Sequence, residues 1–127
     1  MIDERSTVIK IGDKEYELLL TTKATKEIAK RYGGLEKLGD KLLKNEDFND
    51  ALTEIVWLIT ILANQIILIY NYQNKEKEKE LLTVDVVELL TTPMDLSSYK
   101  EAITQTLLKG TQRNIESESD SKNVVCE

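Results

Sequence analysis

Residues 51–72 read ALTEIVWLITILANQIILIYNY, and no other stretch of this 127-residue chain carries as much apolar mass. Taken as a helix, it sets Phe48, Leu52, Ile55, Ile59, Leu62, Ile66 and Ile69 in a seam at steps of three and four, the spacing of one buried face. Val56, Trp57, Leu58, Ile61, Ala63, Ile67, Leu68 and Tyr70 fall on other sides, so the helix is apolar nearly all round. The polar exceptions, Thr53, Thr60, Asn64 and Asn71, lie within an arc of roughly 40°. Such a helix has to be surrounded by its own chain, by a partner or by lipid.

Lipid fits least well. The uncharged run Ile55–Tyr70 spans about 24 Å as a helix, against about 30 Å of hydrocarbon. Extending it to Ala51–Tyr72 reaches the length but takes in Glu54. It also sets Asn64 and Gln65 near the bilayer centre with no second apolar span to hydrogen-bond them. Tyr70 and Tyr72, with Lys75, suit either a membrane-interface belt or the rim of a soluble core. The polar strip is of no use to a lipid-facing helix, and the shorter amphipathic segments elsewhere need a surface to pack on. A single-span membrane protein therefore remains only a third reading.

The flanking chain supplies that cover. Val8–Leu20 reads as a β-hairpin: Val8, Ile9 and Ile11 are β-branched, Gly12-Asp13-Lys14 supplies the turn, and Tyr16, Leu18 and Leu20 alternate with Glu15, Glu17 and Leu19. Thr21 or Thr22 caps a helix with Ala24, Ile28, Ala29 and Tyr32 inward, ended by Gly33-Gly34. Leu35, Leu38, Leu42 and Leu43 mark a short second helix closing near Asn45. The long helix runs from about Asp47 to Gln73, and Asn74–Glu80 is a charged connector.

Thr83 caps a short helix with Val84, Val87 and Leu90 inward and Asp85 in its first turn. Thr91-Thr92-Pro93 breaks it. Ser98 and Glu101 have capping-box spacing and open a final helix to Lys109, before Gly110, with Ala102, Ile103, Thr106 and Leu107 as its seam and Leu108 beside it. From Thr111 the chain has too little apolar surface to offset its ordering entropy. The expectation is an α+β fold, mainly α: an N-terminal β-hairpin, then a small bundle around one long apolar helix. It forms a single domain over 1–110, with 111–127 a disordered polar tail.

No catalytic constellation is visible. The chain has no His and one Cys, so neither a Ser-His-Asp nor a Cys-His arrangement can be built. The glycines, Gly12, Gly33, Gly34, Gly39 and Gly110, fit neither a phosphate-binding loop nor a dinucleotide fingerprint. Acidic pairs such as Asp3-Glu4 and Glu46-Asp47 read as solvated carboxylates. Lys+Arg 17 against Asp+Glu 23 gives a net charge of −6, which argues against nucleic acid as a partner. The lone Cys126 and the absence of an apolar leader in MIDERST point to a reducing, cytoplasmic setting, with no cofactor and no metal expected. Candidate partner-binding positions are the exposed hairpin edge Val8, Ile9 and Ile11, whose unpaired backbone suits strand addition, and Trp57, which reads as an interface anchor or a core aromatic.

The segment VIKIGDKEYELLLTTKATKEIAKRYGGLEKL (8–38) runs strand, Gly turn, strand, and helix ending in Gly followed by Leu. WLITILANQ (57–65) then stands in an apolar middle helix, followed by LLTVDVVELL (81–90), a break and a closing helix. Over about residues 7–110 this order resembles the tail assembly chaperones of long-tailed, siphovirus-type bacteriophages and prophages. The resemblance implies a non-enzymatic protein of the host cytoplasm that binds the tape-measure protein and assists recruitment of the tail-tube protein. It also implies absence from the mature virion. Many such proteins occur with a longer frameshifted form, and a short polar tail like 111–127 suits the shorter product. A homo-oligomer is left open. A small structural virion protein, a tail connector or tube component, is the alternative from another class.

Overall fold

The computed structural model describes residues 6–34, 37–38 and 47–126, with 112–126 described by backbone alone. The fold is α+β and mainly helical. Strands β1 (Thr7–Ile11) and β2 (Lys14–Leu18) form an antiparallel hairpin, followed by α1 (Thr22–Tyr32), α2 (Phe48–Gln73), α3 (Val84–Leu90) and α4 (Pro93–Cys126). The second helix expected over Leu35–Asn45 lies largely outside the described residues. Within it, Lys37 and Leu38 are helical and Leu38 is buried in the main core.

The hairpin turn is Gly12-Asp13, because Ile11 pairs with Lys14. Gly12 has φ 64° and no described non-glycine residue has positive φ, so the positive angle falls at the first turn position alone, as a type II′ turn requires. Ile9, Ile11 and Leu18 point into the core, while Val8 sits outward opposite Glu17, and Lys10 opposite Glu15. β2 then lies along the middle of α2, and Leu19 N–H donates to Leu62 O at 3.2 Å. Leu19 and Leu20 are both buried, although strict alternation turns only one of them inward. The chain is leaving the sheet there, so period two no longer governs it.

The central helix begins at Asp47, whose carboxylate accepts from Asp50 N–H at 3.0 Å. Its seam holds in the middle: Ile55, Ile59 and Leu62 are essentially fully buried, with Val56, Leu58 and Ala63 beside them. At the ends it does not. Phe48 and Ile69 are exposed, and no residue after Gln65 is buried. The helix overhangs the elements that cover it, which are β2, α1, α3 and α4. By length and composition it is the one described helix apolar enough to cross a membrane.

The polar strip has two uses. Thr53 and Thr60 donate back to their own helix, at Asn49 O and Val56 O. Asn64 and Asn71 reach outward and clamp the connector. Asn64 Nδ2 donates to Leu82 O at 2.9 Å while Leu82 N–H donates to Asn64 Oδ1 at 2.7 Å. Asn71 repeats the pattern with Lys79, at 3.0 and 2.8 Å. The match is metric: seven helical residues rise about 10.5 Å, and three extended residues cover about 10 Å. The connector therefore runs antiparallel to the helix as a strap. Below it, buried Gln65 accepts from Thr21 Oγ1 at 2.6 Å and donates to Ile61 O, which ties the α1 cap to α2.

Three local expectations are corrected. The last helix opens at Pro93, not Ser98. Thr92 and Asp95 form a reciprocal capping box, with Asp95 N–H donating to Thr92 Oγ1 at 3.2 Å and Thr92 N–H to Asp95 Oδ2 at 2.9 Å. Pro93 sits at the first helical position, where its missing N–H costs nothing. Gly110 does not end this helix. It is a notch, since a Cβ there would lie 2.8 Å from Leu20 Cδ2 and 2.9 Å from Leu20 Cβ. In α3 only Val87 is buried; Val84 and Leu90, expected inward, are 38% and 50% exposed. The α4 backbone runs on to Cys126, over a polar segment with too little apolar surface to pack against the domain.

Candidate functional site

The four candidate positions do not form one patch. Ile9 and Ile11 place their side chains in the core, leaving Val8 as the outward apolar residue of β1, 44% exposed. The β1 edge is partly covered by α4. Lys109 Nζ donates to Ser6 O at 2.9 Å, and the Tyr99 hydroxyl donates to Lys10 O. By alternation the peptide groups of Val8 face the same way, between these two bridges. The backbone available to an incoming strand on β1 therefore narrows to Val8, beside a groove of about 500 Å³ that Ala102 and Gln105 also line. Burial and the charge of Asp95 raise the Tyr99 hydroxyl above its ordinary pKa.

Trp57 lies on the opposite flank in a cluster with α1. Its ring meets Tyr32 edge-on at 6.0 Å between centroids, and the Arg31 guanidinium sits 4.5 Å from its centroid. Arg31 is held in turn by Glu54, Nε to Oε1 at 3.1 Å and Nη2 to Oε2 at 3.4 Å. The Tyr32 hydroxyl also donates to Glu54 Oε1. Burial, then acceptance by Glu54, pushes the Tyr32 pKa well up; the hydrogen bond to Glu54 raises Arg31 as well. Glu54 thus takes hydrogen bonds from both Arg31 and Tyr32. The cluster orients Trp57 as a brace between α1 and α2, partly buried against the core.

A second groove, about 550 Å³, runs between β2 and the strap over a floor of Ala63, Ile66 and Ile67, with Glu15, Glu17 and Lys79 on its rims. Among the described residues no group of three His, Cys, Asp or Glu side chains is placed to hold a metal ion.

The largest concentration of exposed apolar side chains lies elsewhere. Val84, Val86, Leu89, Leu90 and Met94 are exposed within eleven residues of chain, with Leu89 and Met94 each at 83%. Reading round α3 at 100° per residue from buried Val87, the order is Val84, Glu88, Asp85, Leu89, Val86, Leu90. Leu89, Val86 and Leu90 thus make one continuous arc with carboxylates along its edge. Leu90 leans toward the hairpin turn, about van der Waals distance from where a Gly12 Cβ would be. The signal in the sequence is that VDVVELL holds more apolar residues than a two-turn helix can bury on one side. No protein family, curated protein or solved structure matches this chain.

Proposed function

We propose that this chain is a tail assembly chaperone of a long-tailed phage or prophage. It holds the tape-measure protein soluble in the host cytoplasm and assists assembly of the tail-tube protein around it, without catalysis. The observation that carries the reading is the order of elements on the residues that bear the resemblance. A hairpin at 7–18 leads into a helix ended by Gly33, then a long apolar helix, the LLTVDVVELL turn of helix, and a closing helix. An acidic domain that leaves an apolar face exposed supports it further. The net charge of −6 opposes non-specific self-association, while the apolar residues offer a surface to helical clients.

Co-expression with the tape-measure protein of the same genome tests the proposal. The expected result is that the tape-measure protein moves from the pellet to the soluble fraction and co-purifies with this chain. A tape-measure protein equally insoluble with and without it would overturn the reading.

A further inference from the structure

We infer that the face formed by Val86, Leu89, Leu90 and Met94 docks an amphipathic helix of a partner protein whose apolar stripe is flanked by lysine or arginine. The apolar half of the argument is exposure. Leu89 and Met94 are the two most exposed large hydrophobics described, and they stand on consecutive helices joined by a two-residue link. Side chains of this size left in water are a cost unless something covers them.

The charge half selects what covers them. Residues 81–99 contain Asp85, Glu88 and Asp95 and no lysine or arginine. Among the described residues none of these carboxylates is in an ion pair; the described pair is Arg31–Glu54, on another flank. The hairpin turn bordering Leu90 adds Asp13 and Lys14, which cancel, and Lys10 lines the same groove as Asp95, so Asp85 and Glu88 are the carboxylates that set the sign of the face. A second copy related by a two-fold axis would bring the same acidic rim against itself. Nucleic acid and anionic lipid carry the same sign as the rim. A helix with a basic border satisfies both halves, and two exposed turns are wide enough for anchors at its i and i+4 positions.

The inference rests on the chaperone reading only in the choice of client. The test is the Leu89→Asp/Met94→Asp variant, whose side chains touch little in the free protein, so that its melting temperature is expected to match the wild type. Co-purification of the tape-measure protein should fall about tenfold or more, and Asp85→Asn/Glu88→Gln should weaken capture and flatten its salt dependence. Undiminished capture by Leu89→Asp/Met94→Asp overturns this face and leaves the chaperone reading standing. If the wild type captures no tape-measure protein, the chaperone reading fails, and a synthetic helix with a Leu stripe and Lys flanks decides the face. Binding by the wild type that is lost in the variant, and lost when Glu replaces Lys in the peptide, supports it; no binding overturns it. A wild-type dimer that the variant converts to monomer also overturns it, since a second copy would then be the occupant.

Discussion

Asn64→Ala and Asn71→Ala separate a strap that is held from one that merely lies nearby. Each asparagine gives two hydrogen bonds to connector backbone, at Leu82 and Lys79 respectively. Two bonds at about 1 kcal/mol each make about 2 kcal/mol. Leu82 packs against the core, so its orphaned N–H and C=O are poorly hydrated and add up to about 1 kcal/mol. Ala regains about 0.6 kcal/mol of helix propensity over Asn. Asn64→Ala should therefore cost about 2 kcal/mol, or ~6–10 °C in melting temperature for a domain of this size. At Lys79 the freed groups reach water and the two bonds fall to about 0.5 kcal/mol each, so that after the same propensity gain Asn71→Ala should cost under about 0.5 kcal/mol. Thermal melts followed by circular dichroism read the stabilities, and trypsin cleavage after Lys75, Lys77 and Lys79 reads release of the strap. If Asn64→Ala is neutral, or if both substitutions cost the same, the strap is not held by these amides.

Thr7→Val should stabilise the domain by about 1 kcal/mol, because Thr7 Oγ1 is buried without a hydrogen-bond partner and valine keeps the shape; a destabilised variant in denaturant titration would show that the hydroxyl is satisfied. Gly110→Ala should destabilise despite the better helix former, by about 1–2 kcal/mol, since a methyl there meets Leu20 at under 3 Å. The pair Gly110→Ala/Leu20→Ala should keep part of that penalty relative to Leu20→Ala alone, because the Cβ of residue 20 itself lies 2.9 Å from the added methyl. Tyr32 and Tyr99 are both raised above the ordinary value of 10.0. Their contribution is complete below that pH; above it the unfolded chain loses protons first and stability falls. Tyr32→Phe and Tyr99→Phe should each lessen the loss of stability on going above pH 10, read by chemical denaturation across that range.

The parts of the fold legible in the sequence are those with local causes. The β-branched run before Gly12, the Thr21 cap with Gly33, and the Asp47 start of the central helix all act within a few residues, and the elements form where those signals stand. The strip Thr53–Thr60–Asn64–Asn71 is legible as polar, but its purpose is not, because the partners of Asn64 lie eighteen residues away and are backbone atoms. Thr92-Pro93-Met94-Asp95 carries a readable start signal, overshadowed by the breaker role of Pro93. Gly110 illustrates the opposite limit: a glycine that yields to Leu20 looks, in sequence, like one that ends a helix. The candidate surface was half legible. Excess apolar residues in 84–90 are visible in the sequence, whereas the exposure of Leu90 depends on where the hairpin turn packs.

Under the proposed function this chain serves assembly and leaves before the particle is finished. Quantitative mass spectrometry across the assembly pathway tests it most directly, comparing soluble tape-measure complexes with purified particles from the same lysate. The prediction is that this chain is abundant in the first and absent from the second. A fixed stoichiometry with the tail-tube protein in finished particles would contradict it and make the chain a structural component of the virion.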